Sequence, residues 1–168
     1  MSGQLGLDVG VESAAEISPC GRYRYWLRRR WSDGPLLGWV MLNPSTADDV
    51  EDDATIRRCR GFAQREKFGG IIVRNLFALR ATDPRELMVA DDPVGPRNTY
   101  HLSKCVGEPV TVAAWGVDRA LKLAAPSLRT VRYAAGESLM CLGVTKDGSP
   151  KHPLYLRGDT PLEPWPGT

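Results

Sequence analysis

An apolar run that ends in a polar loop is the feature that most constrains the fold of this chain. Leu36–Leu42 is a continuous apolar stretch preceded by Gly34-Pro35, and this pattern predicts a buried central strand. The loop starts where Asn43 precedes Pro44, because a proline fixes its own φ and moves the preceding residue out of the α region. A polar side chain therefore follows a buried strand at its carboxyl end, where open α/β sheets bind ligands. We predict the functional site at this loop.

Length and composition indicate a single globular domain. The chain has 168 residues, of which 42% are hydrophobic, and this is enough to bury a substantial core. No apolar run approaches the roughly 20 residues of a membrane span, and no basic-then-apolar leader pattern begins the chain. We expect a cytoplasmic protein that does not bind a membrane. A formal net charge of +2 neither favours nor excludes nucleic acid.

Alternating and apolar patterns predict the strands. Arg22–Trp31 alternates as a strand, and the turn at Ser32–Pro35 predicts a hairpin with the strand that starts at Leu36. The arginines and Trp26 on its polar face either form a solvated sheet edge or contact phosphate and stack on bases. Later strands are predicted at Ile71–Asn75, Val110–Trp115 and Leu139–Val144, and His152–Leu156 is predicted to be extended.

An acidic segment, Asp48–Asp53, precedes the first predicted helix. This helix is expected to run to about Lys67, with Asp52 or Asp53 as its cap and Gly69-Gly70 as its end. The acidic residues either cap the helix and face water or hold magnesium, which prefers clustered carboxylates. Further helices are predicted after Asp83-Pro84, over Asn98–Val106, and up to Ala135 with an interruption near Pro126.

The order of these elements predicts an α/β fold. We expect a three-layer sandwich with a central, mainly parallel four-stranded sheet, preceded by one antiparallel hairpin strand. Residues 1–18 mix small, polar and acidic side chains with isolated apolar ones, so this segment is predicted to be partly disordered. Residues 19–168 are predicted to form the single domain.

Three polar residues follow predicted strands: Asn43, Asn75 and His152. An asparagine is no strong base, but it can orient a water or read the paired donor and acceptor of a nucleobase edge. A histidine can donate to a developing anion or take up a proton near neutral pH. The structural alternatives are turn-forming asparagines and a hydrogen-bonded histidine in the core.

Several common site classes lack their motifs here. The chain contains no G-x-G-x-x-G, Walker A, G-x-S-x-G or H-E-x-x-H sequence. Its four cysteines are widely spaced with no C-x-x-C pair, which argues against zinc and iron–sulfur sites and for reduced, mostly buried thiols. We therefore predict no cofactor and no metal.

Three motifs carry a resemblance to known families. They are Met41–Thr46, Asn75–Pro84 and His152–Leu156. Through them the chain resembles the domain of unknown function 1643 family, from about Cys20 to Trp165. That family name implies no activity.

The same motifs, in the same order, are similar to those of the uracil-DNA glycosylase superfamily. This resemblance implies the superfamily's fold and a DNA base as the partner. It implies that Asn43 positions the attacking water, that Asn75 reads the base, and that His152 stabilises the departing base. It also implies substrate contacts from Pro44, Ser45, Thr46, Phe77, Arg80 and Gly116. The chain departs from the superfamily pattern because Ser45 replaces a glycine, Leu154 replaces a serine, and the aspartate of the uracil-specific branch is missing.

The resemblance predicts a protein that hydrolyses the N-glycosidic bond of a uracil-like or modified base in DNA or in a nucleotide. One alternative is a catalytically silent module that binds nucleic acid or a modified base on the same fold. The other is a metal-dependent nucleotide hydrolase that uses the Asp48–Asp53 segment.

Overall fold

A seven-stranded mixed sheet with the strand order β1-β2-β4-β3-β5-β6-β7 forms the centre of the protein. The computed structural model describes residues 10–45 and 50–167. The strands are β1 (Glu12–Ile17), β2 (Arg24–Arg30), β3 (Leu36–Met41), β4 (Gly70–Asn75), β5 (Thr111–Ala113), β6 (Leu139–Cys141) and β7 (Glu163–Pro164). The helices are α1 (Ala54–Arg65), α2 (Glu86–Val89), α3 (Asn98–Ser103) and α4 (Ala125–Ala135). The predicted α/β class is confirmed, and the sheet is larger than the four strands and one antiparallel strand that were expected.

The four central strands, β4, β3, β5 and β6, are parallel. β3 pairs with β4 in a register that places Leu37 opposite Ile71 and Met41 opposite Asn75. The carboxyl ends of these two strands are therefore neighbours.

The predicted hairpin between β2 and β3 is wrong. β2 pairs antiparallel with β4, and β3 lies on the other side of β4. The start of β4 occupies the turn: Trp31 N donates to Gly69 O at 2.9 Å, and Gly69 N donates to Pro35 O at 2.8 Å. Glycine permits this approach, because a Cβ on Gly69 would lie 2.4 Å from the carbonyl oxygen of Gly34.

Two short antiparallel strands add to the edges of the sheet. β1 pairs along β2, so residues 12–17 of the segment predicted as partly disordered are a strand, and residues 1–9 lie outside the described part. β7, from the proline-rich tail, pairs with β6. Trp165 beyond it packs edge-on against Trp115 at 5.0 Å between ring centroids. This contact packs the proline-rich tail on the domain.

Helices cover both faces of the sheet. α1 buries Ile56, Cys59, Phe62 and Ala63, whose spacing places them on one side of the helix, against one face of the sheet. The opposite face is covered by α2, α3 and α4. Apolar residues of these helices form a second buried cluster with Tyr25 of β2 and with Leu76 and Phe77, which directly follow β4. Among the described residues no helix is long and apolar enough to cross a membrane.

Three local predictions need correction. α1 ends at Arg65, and the left-handed residue beyond it is Lys67, with φ +62°, rather than a glycine. The interruption predicted near Pro126 lies at Ala124, between a 3₁₀ turn (Arg119–Leu123) and α4, and Pro126 itself lies in the first turn of α4, where a missing N–H has no cost. The segment after His152 is a 3₁₀ turn (Pro153–Tyr155), because His152 caps it.

A buried ion-pair cluster ties α1 to the sheet. The Arg29 guanidinium, 1% exposed, donates to Asp52 at 2.8 Å, and Arg60 donates to the other carboxylate oxygen at 2.6 Å. β2 is an internal strand, so its arginines do not form the solvated edge considered from the sequence. Arg28, for example, pairs with Glu12 on β1.

Replacing Asp52 by alanine is expected to destabilise the fold by about 3–5 kcal/mol, because the buried Arg29 charge loses this carboxylate. Urea denaturation at neutral pH measures the change. The control is Asp159→Ala, which breaks an exposed pair with Arg157 and should cost less than about 1 kcal/mol. Equal losses in the two variants would contradict this role for Asp52.

Candidate functional site

A cleft of about 630 Å³ opens at the carboxyl ends of β3 and β4. Its volume lies within the range of roughly 300–1,000 Å³ that is usual for small-molecule sites. The residues that line it include Asn43, Ser45, Asp53, Asn75, Trp115, Gly116, Lys151, His152 and Tyr155. The three polar residues singled out from the sequence, Asn43, Asn75 and His152, are therefore brought together in one cavity.

Asn75 is the last residue of β4 and is only 1% exposed. Neither its Oδ1 nor its Nδ2 has a hydrogen-bond partner among the described residues. A buried amide without hydrogen bonds lowers the free energy of unfolding by about 1–3 kcal/mol, so its presence needs an explanation. Because Asn75 is one of the residues that line the cleft, a ligand with a complementary donor and acceptor that reaches this buried amide is the explanation that the geometry offers.

The backbone around Asn75 is held from the opposite side. Asn98 Nδ2 donates to the carbonyl oxygens of Asn75 and Leu76, at 2.9 and 3.2 Å. Ser127 Oγ donates to the Leu76 carbonyl at 2.7 Å. Both donors are fully buried, so the end of β4 is fixed while the Asn75 side chain remains without a partner.

Asn43 is anchored through its amide nitrogen. Nδ2 donates to Ala81 O at 2.8 Å and to Pro44 O at 3.0 Å, while Ala81 N donates back to Pro44 O at 3.1 Å. Oδ1 accepts no hydrogen bond from the described residues, and the side chain lines the cleft. An acceptor fixed in this way can orient a water molecule.

His152 is half-buried, and its position is set by its own turn. Its Nδ1 accepts from Leu154 N at 3.1 Å, so the proton of the neutral ring lies on Nε2. Burial lowers the pKa of His152, and the nearby Asp53 charge opposes this shift. The neutral ring is therefore favoured near neutral pH, and it offers an N–H donor. Arg58 on α1 holds the turn from outside by donating to Pro153 O at 3.4 Å.

Gly116 supports the histidine. Its φ of +69° is the left-handed conformation that favours glycine, and a Cβ there would lie 3.5 Å from the His152 Cβ. Gly116 N donates to Pro150 O at 3.0 Å, which ties the end of the β5 segment to the chain just before His152. Gly116 thus has a positioning role in the cleft.

Asp53 also lines the cleft, although the sequence had suggested for it only a helix cap or, as part of the acidic segment, a magnesium ligand. It caps α1 by accepting from Ile56 N at 2.9 Å, and it also accepts from Ser45 Oγ at 2.7 Å. Lys151 and Tyr155 also line the cleft and were not predicted from the sequence. Tyr155 is 84% exposed, and its ring is tilted against that of His152 with the centroids 5.8 Å apart. Asp53 lies close in sequence to the Asn43 loop, which could have indicated a place in the cleft. Its suitability as a helix cap explained the residue without one.

The other residues predicted to contact the substrate do not all lie in the cleft. Pro44 is buried beside the cleft, and Phe77 is fully buried in the core. Arg80 lies against a separate surface hollow, where it donates to Gly21 O at 3.4 Å. Thr46 lies outside the described residues. Of the predicted substrate contacts, Ser45, Asn75 and Gly116 line the cleft.

The acidic segment shows no metal site in its described part. Asp52 pairs with two arginines and Asp53 caps α1, while Asp48 and Asp49 lie outside the described residues. Among the described residues no three His, Cys, Asp or Glu side chains are grouped to hold a metal ion.

A comparison with protein families identifies the chain. A family model described as Protein of unknown function (DUF1643) matches residues 24–154, which includes the three motifs up to Leu154. The chain belongs to the DUF1643 family. No curated protein and no solved structure gives a significant match. The similarity of this DUF1643 protein to uracil-DNA glycosylases rests on the three motifs.

We predict that Asn75→Leu stabilises the free protein by about 1–3 kcal/mol, because it removes an unpaired buried amide from a nearly isosteric position. Thermal or urea unfolding without ligand measures this change. Asn98→Leu is the control, since Asn98 Nδ2 makes two buried hydrogen bonds, and this variant should lose stability. A destabilised Asn75→Leu protein would mean that the amide is paired.

We also predict a pKa for His152 below the ordinary value of about 6.5, with Nε2 protonated in the neutral ring. Nitrogen-15 NMR across pH 4–8 reports both the pKa and the tautomer, and loss of the signals in His152→Ala assigns them. The urea-unfolded chain gives the reference. A pKa above that reference, or an Nδ1–H tautomer, would contradict the geometry described here.

Proposed function

We propose that this DUF1643 protein binds a nucleobase in the cleft and hydrolyses its N-glycosidic bond. The observation that carries the proposal is the Asn75 amide, buried at the cleft with both its donor and its acceptor unpaired. A uracil-like base presents the complementary pair on its Watson–Crick edge. The motif similarity to uracil-DNA glycosylases supports the same assignment, with DNA as the partner.

The recognition step places the base edge against Asn75. A duplex substrate would have to expose the base by flipping it from the stack, at a cost of a few kcal/mol. The exposed Tyr155 ring lies at the mouth of the cleft, where an aromatic face can stack on a base, and Lys151 supplies positive charge there for a phosphate. These contacts favour a substrate with both an aromatic and an anionic part.

The chemical step assigns different tasks to Asn43 and His152. Asn43 Oδ1 accepts a hydrogen bond from the attacking water. This bond orients the water so that the water oxygen points at C1′ of the sugar. As the C1′–N bond breaks, its electron pair leaves with the base, and His152 Nε2–H donates to the resulting anion. A neutral histidine is suited to this task because burial holds its pKa low, so it stabilises charge without being a permanent cation.

Removing either Asn43 or His152 is expected to slow cleavage by about a hundredfold or more, because each acts on water or charge in the transition state. Affinity for the uncleaved substrate should stay within a few-fold. Single-turnover assays with single-stranded and duplex oligonucleotides, containing uracil or other modified bases, measure cleavage. Equilibrium binding to the same oligonucleotides measures affinity.

The controls are Tyr133→Ala, on an exposed aromatic of α4 that does not line the cleft, and His152→Gln, which restores an N–H donor. Tyr133→Ala should behave as wild type, and His152→Gln should recover part of the rate. A wild type that releases no base, but whose affinity falls in both alanine variants, would instead identify a binding module and refute the glycosylase assignment.

A further inference from the structure

We propose that Asp53 is a catalytic residue that accepts the proton of the attacking water and faces the positive charge that develops on the sugar. This assignment rests on the proposed glycosidic hydrolysis and adds a group that neither the motifs nor the resemblance identifies. It begins from the position of Asp53 in the same cleft as Asn43 and His152.

The Asp53 carboxylate is held in one orientation. Ile56 N donates to Oδ1 at 2.9 Å, and Ser45 Oγ donates to Oδ2 at 2.7 Å. An ionised carboxylate has about four lone-pair sites, so these two bonds leave acceptor capacity for water. Ser45 lies two positions after Asn43 in the same loop, so the hydroxyl that contacts Asp53 and the amide proposed to orient the water come from one short segment.

The electrostatics of the cleft agree with this placement. The negative charge of Asp53 reaches His152, where it raises the pKa against the effect of burial. Asp52, its sequence neighbour, pairs with Arg29 and Arg60, whereas Asp53 forms no salt bridge with a cation among the described residues. Asp53 therefore contributes negative charge directly to the cleft.

The proton balance of the step is complete. The water oxygen forms a bond to C1′ as the C1′–N bond breaks, and the base departs with that electron pair. One water proton passes to the Asp53 carboxylate and then to solvent, while the anionic base is stabilised by the His152 N–H until it takes up a proton. Water is the only co-reactant. General-base assistance of this kind contributes roughly 10²–10⁴-fold in rate.

The test is Asp53→Asn, because asparagine caps a helix about as well as aspartate and can still accept from Ile56 N. Its Nδ2 can donate to the Ser45 hydroxyl, so the local hydrogen bonds survive while the charge is lost. We expect single-turnover cleavage to fall by about a hundredfold with unchanged thermal stability.

The matched control is Asp118→Asn. Asp118 caps the 3₁₀ turn Arg119–Leu123 by accepting from Ala120 N at 2.8 Å, and it does not line the cleft. This variant removes the same charge from a similar cap, and its rate should stay within about threefold of wild type. A comparable loss in both variants would mean that net charge, and not the position of Asp53, sets the rate, and would overturn the assignment.

A binding experiment tests the charge separately from the rate. Oligonucleotides with a pyrrolidine abasic analogue carry a cation at the sugar ring, and those with tetrahydrofuran are neutral. Wild type should prefer the cation by at least about tenfold, as expected for a transition-state mimic, and Asp53→Asn should lose the preference. Equal affinities in wild type would overturn the assignment.

The two proposals fail differently. If wild type and Asp53→Asn release base at similar rates while His152→Ala is inactive, Asp53 is only a helix cap and the proposed function stands. If wild type releases no base from any oligonucleotide, the proposed function is refuted, and the role of Asp53 is refuted with it.

Discussion

The site depends on the parallel pairing of β3 with β4, which places Met41 opposite Asn75. The ladder continues past the strand ends, where Leu76 N donates to Met41 O and Phe77 N donates to Leu42 O, both at 2.9 Å. These bonds fix where each chain leaves the sheet. A shift of one residue would turn the Asn75 side chain to the other face and remove it from the cleft. The pairing itself relies on the close approach of Gly69 to Gly34, so two glycines remote from the cleft help to set its geometry.

The unpaired Asn75 amide lowers the stability of the fold, and hydrogen bonds to the neighbouring backbone raise it. Its amide has no partner among the described residues, yet Asn98 and Ser127 satisfy the adjacent carbonyls with buried hydrogen bonds. Because the backbone cannot turn, the amide cannot easily relieve its cost by finding a new partner. Preorganised binding sites are built in this way, with ligand contacts left open on a rigid support. Loss of these supporting residues would loosen the side chain to which we assign recognition of the base.

The sequence predicted the parts of the fold whose signals are local. The apolar runs of β3 and β4 and the periodicity of α1 each determine an element without reference to distant residues. The hairpin prediction failed because strand pairing was decided by Gly69, far along the chain from the turn it enters. The site was predicted in part: Asn43, Asn75 and His152 follow strands, and their convergence follows from parallel topology. Arg80 was misplaced, and Asp53 was missed, because motif resemblance and capping preference do not report which way a side chain faces.

Neutral His152 and anionic Asp53 form a consistent pair only while the imidazole stays unprotonated. In the proposed reaction the sugar becomes cationic and the base becomes anionic, so the cleft needs negative charge at one end and a hydrogen-bond donor at the other. If His152 were a cation, it would attract Asp53. That attraction would compete with the contacts that each of the two side chains is proposed to make with the substrate. Burial lowers the pKa of His152, whereas Asp53 raises it, so the favoured state reflects a balance between desolvation and charge. Removing the Asp53 charge should therefore lower the pKa of His152 further. A histidine that becomes a weaker base while cleavage becomes slower would show that the carboxylate acts on the substrate, because the donor form of the imidazole would then be more populated than in wild type.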